Sequence, residues 1–140
     1  MKEYISKNHN DTEHIAQELI GGLEGGEVLA LVGNLGAGKT VFVKGLAKAL
    51  GIEDNITSPT FVLMKIYQTK HAKIKRLVHV DCYRLEKVDD LEEIGLADYL
   101  HDPENIVVIE WADRVANLPK NTINITIEYM NSLERKVTIA

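Results

Sequence analysis

The sequence predicts a three-layer α/β domain with a central, mostly parallel sheet and antiparallel additions, and three observations carry that expectation. Residues 27–32 and 106–109 are short, continuous apolar runs of the kind found in strands buried on both faces. Residues 10–21 and 39–50 repeat their apolar positions at helical spacing, so strands and helices alternate along the chain. The regions 60–80 and 123–139 carry the period-two alternation and central turns of hairpins, which supply the antiparallel additions.

The first helix is predicted over residues 10–21, opened by a capping box between Asn10 and Glu13 and carried by Ile15 and Leu19. Gly21, Gly22, Gly25 and Gly26 end it before the first buried strand. In the second helix Phe42, Val43, Leu46, Ala47 and Leu50 line one side, and Gly51 is placed as its stop. Ser58-Pro59 forces extended or turning backbone. Beyond it, residues 60–67 and 74–80 predict a hairpin whose tip, residues 70–73, is basic. Leu91, Ile94 and Leu96 among acidic residues predict a helix over residues 88–100, broken near Gly95. Residues 123–129 and 136–139 alternate around a turn near Asn131-Ser132 and predict a closing hairpin.

With 140 residues, 45% hydrophobic and 26% charged, the composition is that of one globular domain able to build a core without disulfides or structural metal. No apolar run reaches the roughly 18 residues of a membrane span, and residues 1–7 do not read as a secretion signal. A cytoplasmic protein without a membrane partner is therefore expected. Cys82 is the only cysteine, which excludes an intramolecular disulfide. The net charge of −5 opposes nucleic acid at long range, so no DNA partner is expected. Lys65, Lys70, Lys73, Lys75 and Arg76 form the only dense basic stretch, read either as a surface for an acidic partner or a tRNA backbone, or as the solvated side of a hairpin.

The strongest chemical signal is Gly33-Asn34-Leu35-Gly36-Ala37-Gly38-Lys39-Thr40, a phosphate-loop motif standing between a predicted buried strand and a predicted amphipathic helix. Glycines let backbone N–H groups turn toward phosphate oxygens, and the helix N-terminus adds free N–H groups and a positive dipole end. The segment from Gly33 through Val41, including Leu35, Gly36, Ala37 and Gly38, is the candidate ATP-binding backbone. Lys39 is expected on the β and γ phosphates, and Thr40 on Mg²⁺.

A second acidic group is expected at the end of a buried strand, and Glu110 follows residues 106–109 directly. It is the candidate second ligand for Mg²⁺. Trp111 is either a core aromatic or a neighbour of the nucleotide. Alternation sends His79, Asp81 and Tyr83 to one face, where Asp81 can orient the attacking water or a cation-bound water. A transition-metal site on His79 and Asp81 lacks a further ligand at suitable spacing. Arg84 either stabilises transition-state charge or pairs with Glu86. Thr60 is either a sensor of the γ-phosphate or part of a Ser-Pro turn.

Taken together, the phosphate loop, Ser58-Pro59-Thr60-Phe61, His79-Val80-Asp81-Cys82-Tyr83-Arg84-Leu85 and Ile109-Glu110-Trp111 resemble, in this order, the bacterial TsaE family, also called YjeE. The resemblance covers nearly the whole chain. It implies a Mg²⁺-dependent ATPase, slow alone, that sustains threonylcarbamoyl modification of tRNA together with TsaB and TsaD. Contact with tRNA would then be indirect, through the complex. The resemblance also implies that Thr12 lies near the nucleotide. This chain departs from the family pattern at Asn34, where the family has Asp, at Cys82, usually Leu, and at Ala112, often Pro. None of the three removes an expected phosphate or metal ligand.

Two other readings fit a phosphate loop. A small-molecule kinase would need an acceptor pocket and an arginine-bearing lid, and no lid-like insertion is apparent. A binding module that uses nucleotide only to fix its shape is separated from an ATPase by turnover, not by sequence. Guanine specificity lacks the Asn-Lys-x-Asp element expected after the Glu110 strand.

Overall fold

Alternation of apolar runs and amphipathic segments produces the predicted architecture in a computed structural model, which describes residues 1–34, 36–57 and 64–140. In chain order the elements are β1 (Lys2–Ser6), α1 (His9–Gly21), β2 (Val28–Val32), α2 (Lys39–Ala49), β3 (Met64–Gln68), β4 (Arg76–Asp81) and β5 (Val88–Asp90). They continue with a 3-10 turn (Leu91–Ile94), β6 (Asn105–Glu110), a second 3-10 turn (Ala112–Arg114), β7 (Val115–Asn117), β8 (Ile123–Tyr129) and β9 (Arg135–Ile139).

Seven strands form one sheet in the order β1-β9-β8-β2-β6-β4-β3. The inner four, β8, β2, β6 and β4, run parallel. β3 adds antiparallel to β4, and β9 runs antiparallel between β8 and β1. β2 and β6 are buried almost throughout, which is why they read as unbroken apolar runs.

Both helices cover one face. Ile15, Ala16 and Ile20 of α1 and Phe42, Val43 and Leu46 of α2 share a core with Leu29, Leu31, Leu77, Ile106, Val108 and Ile125. Each such large side chain stabilises the fold by about 1.5–3 kcal/mol on burial. Gly45 lets the helices meet: a Cβ there would stand 2.6 Å from the Glu13 carbonyl oxygen and 2.8 Å from the Ala16 methyl group. Beside this crossing Lys48 donates to both carboxylate oxygens of Glu13, at 2.7 and 2.9 Å.

The opposite face carries Val28, Ala30, Val78, Val80, Val107 and Ile109 under Leu91, Leu96 and Val115. Here the expected helix over residues 88–100 is not formed. Val88 and Asp90 instead pair with Val115 and Asn117 in a two-stranded parallel sheet of β5 and β7. Asp90 caps a single 3-10 turn by accepting from the Glu93 N–H, and Gly95, at φ 86°, ends it. Four residues between a capping Asp and a left-handed Gly leave no room for an α-helix, and Val and Asp are poor helix formers.

Other boundaries move less. The N-cap of α1 is Asn8, not Asn10: its side chain accepts from the Asp11 N–H at 2.8 Å, and Asp11 accepts from the Lys7 N–H at 2.9 Å. Asn8 therefore caps the helix with Asp11 reaching back to Lys7, while Glu13 serves Lys48. α2 and both hairpins lie where the sequence placed them, although residues 60–63 of the first predicted strand are outside the described residues. β1 escaped the sequence reading because it is an edge strand with only Ser6 fully buried, so its periodicity is weak.

Candidate functional site

The fold brings the C-terminal ends of three parallel strands to one place. β2 runs into the phosphate loop, and the β4–β6 register sets Asp81 opposite Glu110. On β4, Leu77, His79 and Asp81 alternate with Val78 and Val80, so the polar pair shares the α2 face with Glu110. Lys39, Thr40, Val41, Asp81, Tyr83, Glu110 and Trp111 line one cavity of about 430 Å³, together with His9, Gly36 and Gly38.

Gly38 caps α2 at φ 105°, a left-handed conformation that a side chain would strain. Among the described residues no side chain caps this helix end, and its first turn holds no acidic residue, so its N–H groups and dipole face the cavity. The Ala37 N–H, one of those expected on phosphate, donates to the Asn34 carbonyl at 3.0 Å and closes the loop's own turn.

The Lys39 ammonium donates to the Gly33 carbonyl and, at 3.0 Å, to the Asn34 carbonyl. It also sits 4.2 Å from the Trp111 ring centroid, a cation–π contact. Burial pushes its pKa below 10.5, partly offset by the negative charges of Glu110, Asp81 and Asp113. A compact cation thus stands in a partly desolvated place, which strengthens its attraction for an anionic phosphate, while the nearby carboxylates oppose that anion.

Glu110 and Asp81 are buried at the strand ends. Glu110 Oε2 lies 2.5 Å from His79 Nε2, and Asp81 Oδ1 accepts the Tyr83 N–H at 2.8 Å. A hard cation such as Mg²⁺ takes oxygen ligands and uses few protein groups besides phosphate and water. The Thr40 hydroxyl and the Glu110 carboxylate, lining the same cavity, are a donor set of that kind. His79 joins this site through its contact with Glu110.

Trp111 follows β6 with φ 58°, an uncommon conformation for a large side chain, and it turns the indole off the strand into the cavity. Tyr83 packs against it at 5.0 Å between ring centroids. Thr12 is buried, with its hydroxyl 2.6 Å from Ser6 Oγ, and it lines an adjoining cavity of about 280 Å³ with Gly36, Ala37, Gly38 and Val41. Arg84 is exposed and does not line either cavity. Leu35, Ser58, Pro59, Thr60 and Phe61 lie outside the described residues. Within the basic stretch Lys70 pairs with Glu53, Lys65 donates to Thr57, and Arg76 pairs with Asp102 and Glu104.

Sequence reasoning missed Arg135. From β9 its guanidinium donates to the Ala37 carbonyl at 3.0 Å and the Gly36 carbonyl at 3.2 Å, and it stacks 4.6 Å from the Tyr129 ring centroid. It also missed His9, which lines both cavities at the start of α1. No motif flags either residue, because each reaches the loop only through strand order and helix placement.

The family described as "Threonylcarbamoyl adenosine biosynthesis protein TsaE" matches residues 6–137. The chain belongs to the TsaE family. It is 40% identical over 137 residues to the tRNA threonylcarbamoyladenosine biosynthesis protein TsaE of Treponema pallidum, covering 97% of this chain and 98% of the relative. The TsaE protein of Aquifex aeolicus is likewise 40% identical, over 99% of this chain and 96% of its own. The crystal structure of Bacillus subtilis YdiB superimposes with a TM-score of 0.77 at 30% identity, covering 99% of this chain and 83% of that one. The TsaE family acts in threonylcarbamoyladenosine biosynthesis on tRNA, as the names of these relatives state.

Proposed function

We propose that this TsaE-family chain binds ATP with Mg²⁺ in the cavity between α2 and the ends of β4 and β6, and hydrolyses it. It would do so in the cytoplasm as the nucleotide-driven component of tRNA threonylcarbamoylation, beside TsaB and TsaD, meeting tRNA only through that complex. The observation that carries the reading is the convergence of Lys39, Thr40, Asp81, Glu110 and Trp111 on one cavity at an uncapped helix N-terminus. Such a helix end, joined to a buried lysine, is an anion site, and the facing carboxylates require a cation between them and the phosphates.

In this reading the Gly38, Thr40 and Val41 N–H groups hold phosphate oxygens, and Lys39 leaves the Gly33 and Asn34 carbonyls for the β and γ phosphates. Thr40 and Glu110 would hold Mg²⁺, which when bound would supply positive charge to offset that of the phosphates. Asp81, fixed by the Tyr83 N–H, orients water. Trp111 covers the lysine and the phosphates, and Thr12 lines the nucleotide's edge beyond Gly36 and Ala37. Among the described residues no arginine lines the 430 Å³ cavity, which favours slow turnover until a partner supplies further charge stabilisation.

ATP hydrolysis by the purified chain, alone and with TsaB and TsaD, tests the proposal when tRNA threonylcarbamoylation is scored in parallel. Partners should stimulate hydrolysis, and Lys39→Ala and Glu110→Gln should each abolish both the stimulation and sustained modification. Nucleotide binding that partners leave unchanged would remove the pathway role and redirect attention to a phosphoryl acceptor.

A further inference from the structure

His79 lies on β4 opposite Val108 of β6, two residues before Glu110, so the two polar side chains are diagonal neighbours on one face of the sheet. His79 is fully buried, and its Nε2 stands 2.5 Å from Glu110 Oε2. Its Nδ1 is buried without a hydrogen-bond partner among the described residues. An imidazole kept for stability alone would have both nitrogens satisfied, or be replaced by an apolar group of its volume. This ring gives up one nitrogen to serve a single carboxylate oxygen.

A carboxylate that holds a cation only accepts, so in the site proposed here the proton of this contact resides on Nε2. That bond fixes the carboxylate's rotation and commits Oε2, leaving Oε1 as the oxygen with capacity for a cation. We infer that His79 is a positioning residue, whose Nε2–H holds the Glu110 carboxylate so that Oε1 completes a divalent-cation site with Thr40. The inference rests on the metal role proposed for Glu110. Hydrogen bonds to ligating side chains orient them, and their loss typically weakens metal binding 10–100-fold.

Titration of Mn²⁺ into the protein–ADP complex, read by electron paramagnetic resonance, tests this directly. Nucleotide binding without divalent cation and thermal melting are recorded beside it. His79→Leu removes the donor, His79→Asn places an amide too far from Glu110, and His79→Gln sets its amide nitrogen near the position of Nε2. The Leu and Asn variants should lose about 10–100-fold in Mn²⁺ affinity, while Gln stays within about threefold of the wild type. Cation-free ADP binding should be the same in all three.

A folded Leu or Asn variant with wild-type Mn²⁺ affinity, while Glu110→Gln loses it, overturns the positioning role and leaves the Glu110 assignment standing. Wild-type Mn²⁺ affinity in Glu110→Gln itself sinks that assignment, and the inference with it. If Leu and Asn fail to fold, Gln decides: retained affinity supports the role, and a loss as deep as that of Glu110→Gln overturns it.

Discussion

Arg135 Nε donates to the Ala37 carbonyl at 3.0 Å across a sequence separation of 98 residues, joining the last strand to the phosphate loop. A peptide unit is planar, with its carbonyl and N–H pointing in opposite directions. Holding the Ala37 carbonyl outward therefore turns the Gly38 N–H toward the interior of the loop. Arg135 also donates to the Asn131 and Glu134 carbonyls, so one guanidinium ties the β8–β9 turn to the loop. Lys cannot reproduce that planar fork. We predict that Arg135→Lys and Arg135→Gln weaken nucleotide binding by roughly tenfold, about 1–2 kcal/mol, with little change in melting temperature. The fluorescence of Trp111, the single tryptophan, reads the affinity. Unchanged affinity in both variants would show that the loop holds its shape unaided.

Lys39 gives a prediction with a definite sign. Because burial lowers its folded-state pKa below the 10.5 of the free side chain, the unfolded chain binds the proton more tightly. Charged Lys39 therefore opposes folding at neutral pH, and stability rises as pH climbs from the lowered value to 10.5. Lys39→Met, without nucleotide, should melt at or above the wild-type temperature at pH 7 while losing ATP binding. That advantage should shrink as pH rises toward 10.5. A variant that melts well below wild type at pH 7 would show that the contacts to Gly33, Asn34 and Trp111 outweigh desolvation.

Gly45 is a point of close approach between the helices. A methyl group there would meet the Glu13 carbonyl oxygen at 2.6 Å and the Glu13 Cα at 2.7 Å, both backbone atoms. Overpacking of this kind costs about 1–3 kcal/mol, outweighing the roughly 1 kcal/mol that Ala gains over Gly in helix propensity. Gly45→Ala should therefore lower stability in chemical denaturation, against the direction that propensity alone predicts. A stabilised variant would mean that α1 slides along α2 at little expense.

Cys82 is fully buried, and desolvation, reinforced by Asp81 and Asp113, pushes its thiol pKa up to about 12. Only thiolate reacts readily, so the native protein at pH 8 should resist a disulfide exchange reagent and react fully once denatured. Rapid labelling of native protein would show that the segment after β4 opens on its own. In this chain Cys82 packs in the second core with Val80 and Leu91, so Cys82→Leu tests how much room that core retains.

What the sequence disclosed follows from how local each signal is. The loop, α2 and the strands leading to Asp81 and Glu110 were legible because their residues are contiguous and their periodicity is strong. The capping of α1 was misread by two residues, since Asn8, Asn10, Asp11 and Glu13 offer overlapping boxes that only geometry separates. The segment 88–100 misled because Leu91, Ile94 and Leu96 match helical spacing while β7, far along the chain, claims Val88 and Asp90 as a strand. The bonds His79–Glu110 and Arg135–Ala37 were invisible for a related reason. Each depends on which strands become neighbours, information spread over the whole chain.

The position of β9 between β1 and β8 bears on the order in which the molecule is made. β1 is made well before β9, which is its neighbour in the sheet among the described residues. The nascent chain can collapse α1 and α2 onto β2, but it must carry its first strand unpaired until residues 135–139 emerge. Those residues bring Arg135 to the loop as well. Closure of the sheet edge and the final shaping of the phosphate loop are thus one event that waits on β9, and a ribosome-bound chain short of β9 holds neither.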